Sequence, residues 1–207
     1  QSEDLGASPA PGWDVVLIEG HAGSVPAFIH AVRRRNPRAR IVHYCLDTYP
    51  SLDQILRLDV DAFFTNSRAL LPRLDAFAPA AYFPLAVNAD IMRPDAANDA
   101  PTDDSATPLD HNVVYVGHNS PGKKHLSRML TEAAPFGLAI YGHPGWRSAP
   151  PHLRALYQGV LPPDDLARLY ASAKVVLGTT ELKQQRLGMI NNRLYEALAC
   201  GATFISD

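Results

Sequence analysis

Short apolar runs alternate with amphipathic stretches along nearly all of this 207-residue chain, and that alternation leaves few architectures open to it. Residues 13–18 form an apolar run that reads as a buried strand, and residues 19–24 a loop. Ser24 then suits a helix cap with Pro26 in the first turn, placing Phe28, Ile29 and Val32 on one face. Arg33, Arg34 and Arg35 close that helix, where cations favour the negative end of its dipole. Residues 40–46 make the next strand, and Ser51 with Gln54 has the spacing of a capping box that turns Leu52, Ile55 and Leu56 inward. Residues 62–65 and 81–85 are further short strands. The second half repeats the rhythm, with strands at 112–116, 138–141, 175–177 and 203–205. Between them lie a helix at 123–132, one capped by Asp164 or Asp165, and one carrying Leu194 and Leu198 that stops at Gly201. Strands separated by helices imply parallel sheets covered on both faces, so the expected fold class is α/β with two Rossmann-like domains.

Composition divides the chain. Residues 88–110 hold six Asp (90, 95, 99, 103, 104 and 110), three Pro, five Ala and one basic residue, Arg93. That is linker composition, and it predicts an N-terminal domain at 1–87, an acidic linker at 88–110 with residues 96–109 disordered, and a C-terminal domain at 111–207. With 46% hydrophobic and 19% charged residues the chain has the material for a core. Lys and Arg number 19 against 21 Asp and Glu, so no basic surplus favours a nucleic-acid partner. No apolar run approaches the roughly 20 residues of a membrane-spanning helix. Cys45 and Cys200 fit neither a disulfide framework nor a zinc pattern, which points to a reducing, cytoplasmic setting.

In sheets of this kind ligands bind outside the carboxyl ends of the strands, which selects the loops at 117–122, 142–145 and 178–188, and at 19–24, 47–50 and 66–67. Should the two halves face each other, these loops line one cleft. The turn from Gly117 through His118 and Asn119 to Lys123 and Lys124 would offer backbone N–H groups, a helix dipole and two cations to a diphosphate. It has neither P-loop nor G-x-G-x-x-G spacing, and an ordinary strand-to-helix turn with solvated lysines accounts for it as well. Glu196 lies two residues from Leu194, roughly 200° around a helix, so it should face solvent or a cleft. Asp59 and Asp61 form a D-x-D, but 16 Asp in the chain make roughly one such pair expected by chance. Asp59 also ends a helix and Asp61 begins a strand, so no metal site is expected there. The eight His show no ligand spacing, and no nucleophile elbow is present.

The segment Gly188-Met189-Ile190-Asn191-Asn192-Arg193-Leu194-Tyr195-Glu196-Ala197-Leu198-Ala199-Cys200-Gly201-Ala202, with the strand after it, resembles the nucleotide-sugar-binding signature of GT-B glycosyltransferases. Its asparagine–arginine pair, aromatic, glutamate and Ala-Cys-Gly are closest to the branch related to spore maturation proteins. Tyr115-Val116-Gly117-His118, Ile140-Tyr141-Gly142, His43-Tyr44-Cys45-Leu46-Asp47 and Asp61-Ala62-Phe63-Phe64-Thr65-Asn66-Ser67 are similar to that branch too, so the resemblance spans residues 13–207. It implies a GT-B enzyme that moves a sugar from a nucleotide-activated donor, held by the second domain, to an acceptor held by the first. It further implies donor binding by Gly117, His118, Asn119, Lys123, Gly142, Asn192, Arg193 and Glu196. Among these, Glu196 would bond the ribose hydroxyls, Gly117 would let the backbone approach the phosphates, and Lys123 or Arg193 would neutralise them. No cofactor or metal is expected beyond the donor itself.

One departure bears on mechanism. Many retaining members carry an E-x7-E pair, and the first acid would fall at Gly188 here. Retention or inversion is therefore open. Inversion would need a base from the first half, for which His21 and Asp47 are candidates, each also readable as structural. The lack of an obvious base leaves a nucleotide-binding or scaffolding module without turnover as the alternative. A dinucleotide-dependent oxidoreductase would need a glycine fingerprint that is missing. Two complete domains of this type need roughly 150 residues each to bury both sheet faces. The chain is thus expected to be a fragment with both domains incomplete, exposed sheet edges and low stability alone.

Overall fold

The computed structural model describes residues 12–20, 25–46, 52–99, 109–120 and 125–207. The chain divides into two units, the first comprising Gln1–Pro84 with Arg186–Met189, the second Leu85–Gln185 with Ile190–Asp207.

The first unit is built on a four-stranded parallel sheet in the order β1-β2-β3-β4. Its strands are β1 (Val15–Glu19), β2 (Arg40–Cys45), β3 (Ala62–Thr65) and β4 (Ala80–Tyr82), with helices α1 (Val25–Arg35), α2 (Leu52–Ile55) and α3 (Leu71–Asp75). Ile29 and Val32 of α1 pack on Val16, Ile18 and Ile41, as the helical spacing predicts. Ser24 and Ser51, read from the sequence as helix caps, lie outside the described residues. One expectation fails at β1. That strand alternates, and Val15 and Leu17 on its other face are each 60% exposed, so among the described residues the sheet is covered on one side there. The Asp59–Asp61 pair is structural. Asp61 accepts from the Ile41 N–H at 2.7 Å and pairs with Arg33 at 3.0 Å and Arg40 at 3.3 Å. Burial alone would raise the Asp61 carboxyl, but that N–H and the two guanidiniums hold it below its ordinary range.

The second unit has a five-stranded parallel sheet in the order β7-β6-β5-β8-β9. In chain order its elements are β5 (Val113–Val116), α4 (Leu126–Ala133), β6 (Leu138–Tyr141), α5 (Pro151–Arg154), β7 (Tyr157–Gly159), α6 (Leu166–Ser172), β8 (Val175–Gly178), α7 (Leu182–Arg186), α8 (Asn192–Ala199) and β9 (Thr203–Ser206). β5 is central, with Val113 in register with both Leu138 and Val175. Both sheet faces are packed. Val114, Ala139 and Val176 meet α6 and α8, while Tyr115, Ile140 and Leu177 meet α4, Leu153 of α5 and Trp146.

The acidic stretch is less of a spacer than its composition predicts. Pro94–Asn98 forms a 3-10 turn whose Ala96 is 0% exposed, buried with Ala167 and Tyr170 of α6. Arg93 makes this possible by bonding Asp95 at 3.1 Å and Asp99 at 2.9 Å, so the acids neutralise locally and the small residues dock. Asp165 is the residue preceding α6, but its carboxylate accepts from Arg168 at 2.8 Å and leaves the backbone uncapped.

Candidate functional site

The strand order of the second unit reverses at β5: β6 and β7 lie to one side, β8 and β9 to the other. Crossovers leave the sheet on opposite faces at such a point, which opens a crevice at the carboxyl ends of β5 and β8. Seven of the residues singled out from the sequence fall around it: Gly117, His118, Asn119, Gly142, Asn192, Arg193 and Glu196. Lys123, His21 and Asp47 lie outside the described residues.

Gly117 and Gly142, directly after β5 and β6, touch backbone to backbone. A Cβ on Gly142 would stand 2.2 Å from the Gly117 carbonyl oxygen, and Gly142 has φ +137, a conformation open in practice to glycine alone. Both backbone groups of Gly117 are engaged, its N–H with the Tyr141 carbonyl at 2.9 Å and its carbonyl with the Trp146 indole N–H at 2.8 Å. Gly142 likewise donates to Gly159 and accepts from the Tyr157 hydroxyl, each at 2.9 Å. These glycines therefore shape the floor of the loop. The groups presented outward belong to the residues that follow: His118 and Asn119 are exposed, and the His118 ring lies 5.5 Å from that of His143. His143 Nδ1 accepts from the Gly145 N–H at 3.1 Å, which fixes the ring against its own loop.

The other wall is the first turn of α8. Asn191 caps it, accepting from the Arg193 N–H at 3.0 Å while its amide donates to the Thr179 carbonyl at 3.4 Å, which ties the helix to the end of β8. Leu198 does not seat this helix, and Leu194 is only half-buried. Leu198 is 56% exposed, and the inward stripe is Arg193, Glu196, Ala197 and Cys200, at the i, i+3, i+4, i+7 spacing. The small Ala197 and Cys200 let α8 close onto α6, and that carries the polar half of the stripe inward as well. Arg193 reaches over the Tyr115 ring, its guanidinium carbon 5.4 Å from the centroid, with Nη2 3.0 Å from where a Gly117 Cβ would be. Tyr115 in turn packs edge-on against Trp146 and donates to the His118 carbonyl at 3.3 Å.

Asn192 donates to the Glu196 carboxylate. Burial pushes the Glu196 carboxyl up, against the opposing pull of Arg193 and of that hydrogen bond. Burial also pushes the Tyr170 phenol up despite the nearby Arg193. Among the described residues, three buried polar atoms near the end of β8 and the start of α8 have no hydrogen-bond partner: Thr179 Oγ1, Asn192 Oδ1 and Arg193 Nη1. A buried polar group without a partner costs about 1–3 kcal/mol, so these three are expensive features of the fold. A groove of about 730 Å³ elsewhere in the unit has a different character. It opens toward the amino ends of the strands, at Asn112, Gly137 and Lys174, and is lined mainly by apolar residues such as Met129, Phe136 and Ile205. Among the described residues no three His, Cys, Asp or Glu side chains are grouped to hold a metal, and no helix is long and apolar enough to cross a membrane.

Asn191, Tyr115, Trp146, Tyr170 and Thr179 were not among the residues singled out for donor binding. Asn191 carries a readable signal, an asparagine just before a helix. The other four act through contacts across the sheet that no local pattern encodes.

Residues 123–207 match the family described as glycosyl transferase-like. Among solved structures, the chain is similar to Anabaena HepE in complex with UDP and glucose, at 14% identity and a TM-score of 0.57, covering 92% of this chain and 58% of HepE. It is similar also to the catalytic domain of starch synthase IV from Arabidopsis thaliana bound to ADP and acarbose, at 13% identity and a TM-score of 0.56, covering 93% and 56%. The fold is thus the α/β fold of GT-B glycosyltransferases, of which the chain spans less than two thirds of the length of these structures. No curated protein sequence matches it.

Proposed function

We propose that the chain is part of a glycosyltransferase that binds a nucleotide-diphosphate sugar at the carboxyl ends of β5 and β8 and transfers the sugar to an acceptor. The observation that carries this reading is that Thr179 Oγ1, Asn192 Oδ1 and Arg193 Nη1, at the point where the strand order reverses, have no partner among the described residues. Support comes as well from the family match over residues 123–207 and from the UDP and ADP bound by proteins of the same fold.

In this reading the Glu196 carboxylate, steadied by Asn192, accepts from the ribose hydroxyls, and Arg193 meets the diphosphate. Tyr115 supports that guanidinium from beneath. During transfer an acceptor oxygen bonds to the anomeric carbon while the bond from that carbon to the diphosphate oxygen breaks. The diphosphate leaves with the electron pair and gains negative charge, which Arg193, and Lys123 from the sequence, would stabilise without a metal. The acceptor's proton passes to a base, for which His21 and Asp47 are the sequence candidates.

Calorimetry with UDP-, GDP- and ADP-sugars, on the wild type and Glu196→Ala, tests the donor site. At least one donor should bind to the wild type, and loss of the carboxylate should weaken it about tenfold or more, as expected for hydrogen bonds to a charged group. Binding of no nucleotide, or equal binding by Glu196→Ala, overturns the assignment. Gly188 has no side chain, which favours a second reading, a nucleotide-binding module without turnover. Release of free nucleotide from the best donor in the presence of acceptor extracts separates the two.

A further inference from the structure

The backbone of Gly117 does not itself call for a glycine. Its φ is not positive, and both of its backbone groups are engaged, the N–H by the Tyr141 carbonyl and the carbonyl by the Trp146 indole. Its N–H is therefore already taken and is not held out toward a phosphate. What the missing side chain provides is space. A Cβ on Gly117 would stand 2.8 Å from the Tyr115 hydroxyl oxygen and 3.0 Å from Arg193 Nη2. Two side chains, one from β5 and one from the first turn of α8, share the gap that the glycine leaves.

The two are not equally able to move. Tyr115 is wholly buried, lies edge-on against Trp146 and donates to the His118 carbonyl, so shifting its ring disturbs the core between the sheet and α4. Arg193 enters the gap with the far end of a long, half-buried side chain, its guanidinium carbon 5.4 Å from the Tyr115 centroid. A side chain with many rotamers that is free in solvent must be ordered when a ligand arrives, and that ordering weakens binding. One already seated escapes the loss. Gly117 and Tyr115 hold the guanidinium in one place, while its Nη1 is buried with no partner among the described residues.

We infer that Gly117 is the positioning residue of Arg193: by lacking a side chain it seats the guanidinium on Tyr115, ready for a diphosphate. This rests on the donor reading above, in which Arg193 meets that diphosphate. An added methyl should displace Arg193 and leave the rest of the fold in place, unlike the backbone clash that a Cβ on Gly142 would meet. Calorimetry on the full-length wild type, Gly117→Ala, Arg193→Ala and the double variant tests this with UDP, ADP, GDP and the matching nucleosides, the weaker ligands by displacement. Circular dichroism establishes that each protein is folded. Gly117→Ala should bind the preferred diphosphate about tenfold or more weaker than the wild type, with nucleoside affinity unchanged within about twofold. Added to Arg193→Ala, it should change diphosphate affinity by no more than about twofold, because the group it displaces is already gone. Unchanged diphosphate affinity in Gly117→Ala, or equal weakening of diphosphate and nucleoside, overturns the inference. So does an equal loss with and without Arg193, which would mean that Gly117 acts on the ligand itself. Gly117→Ala that fails to fold alone yet folds together with Arg193→Ala supports the contact. Failure to fold in both backgrounds makes Tyr115 the obstacle and overturns the inference. Equal diphosphate binding by the wild type and Arg193→Ala removes the phosphate role of Arg193, and this inference with it. A wild type that binds no nucleotide at all removes the donor reading as a whole.

Discussion

Replacing Gly142 by alanine tests the geometry of the crevice floor most severely. The added methyl would lie 2.2 Å from the Gly117 carbonyl oxygen, 2.9 Å from its carbon and 3.1 Å from its nitrogen. All three are backbone atoms, so no side chain can rotate out of the way. The φ of +137 adds strain of about 1–3 kcal/mol for a residue with a Cβ. Relief requires moving the Gly117 peptide, which disturbs its bonds to the Tyr141 carbonyl and to the Trp146 indole. Each is worth about 1 kcal/mol, more where a buried partner is left unpaired. The substitution should therefore cost about 3–5 kcal/mol. Urea unfolding of the full-length protein, followed by tryptophan fluorescence, would measure it. A loss below about 1 kcal/mol would refute the backbone contact between Gly117 and Gly142 and the clamp built on it.

Glu196→Gln should raise thermal stability at neutral pH, since the glutamate's carboxyl is pushed up by burial and its charged form is disfavoured in the fold. The gain should close as pH falls below about 4, where the carboxyl is protonated folded or unfolded. A lower melting temperature for the variant at pH 7 would contradict this. Asp61→Asn should cost about 1–3 kcal/mol at neutral pH by removing the acceptor shared by Ile41, Arg33 and Arg40. Because the Asp61 carboxyl is held below its ordinary 3.8, its contribution is full above that value and is lost as pH falls through the lower folded one. The variant should accordingly lose less stability on acidification, which pH-dependent denaturation would show. Trp146→Phe removes the donor to the Gly117 carbonyl and should cost about 2–3 kcal/mol, with nucleotide affinity falling as the loop loosens. Unchanged stability and affinity would exclude Trp146 as the clamp.

Eight of the nine strands among the described residues could be read from apolar runs, because a strand in a parallel sheet records its burial along its own length. β7 escaped: its three residues include Gln158 and Gly159, too few and too polar for a run. The face of α8 was misleading for a physical reason. Two leucines four apart outweigh an alanine and a cysteine in a hydrophobicity pattern, yet close packing on α6 favours the smaller pair. The acidic stretch misled in a similar way, since the pairing of Arg93 with Asp95 and Asp99 hides a turn whose Ala96 is wholly buried. In the site, the Glu196 segment was legible because its residues are consecutive on one helix. The partnership of Gly117 with Gly142 and Trp146 was not, since it joins residues 25 and 29 positions apart only once β5 and β6 have paired.

Hydrogen exchange of the full-length protein with and without saturating nucleotide sugar addresses the central claim directly. Binding at the carboxyl ends of β5 and β8 should slow exchange in residues 117–120, 179–181 and 191–196. Residues 129–137, along the apolar groove at the opposite strand ends, should be unaffected. Protection confined to that groove, with the β5 and α8 segments exchanging as before, would contradict a donor site at the point where the strand order reverses.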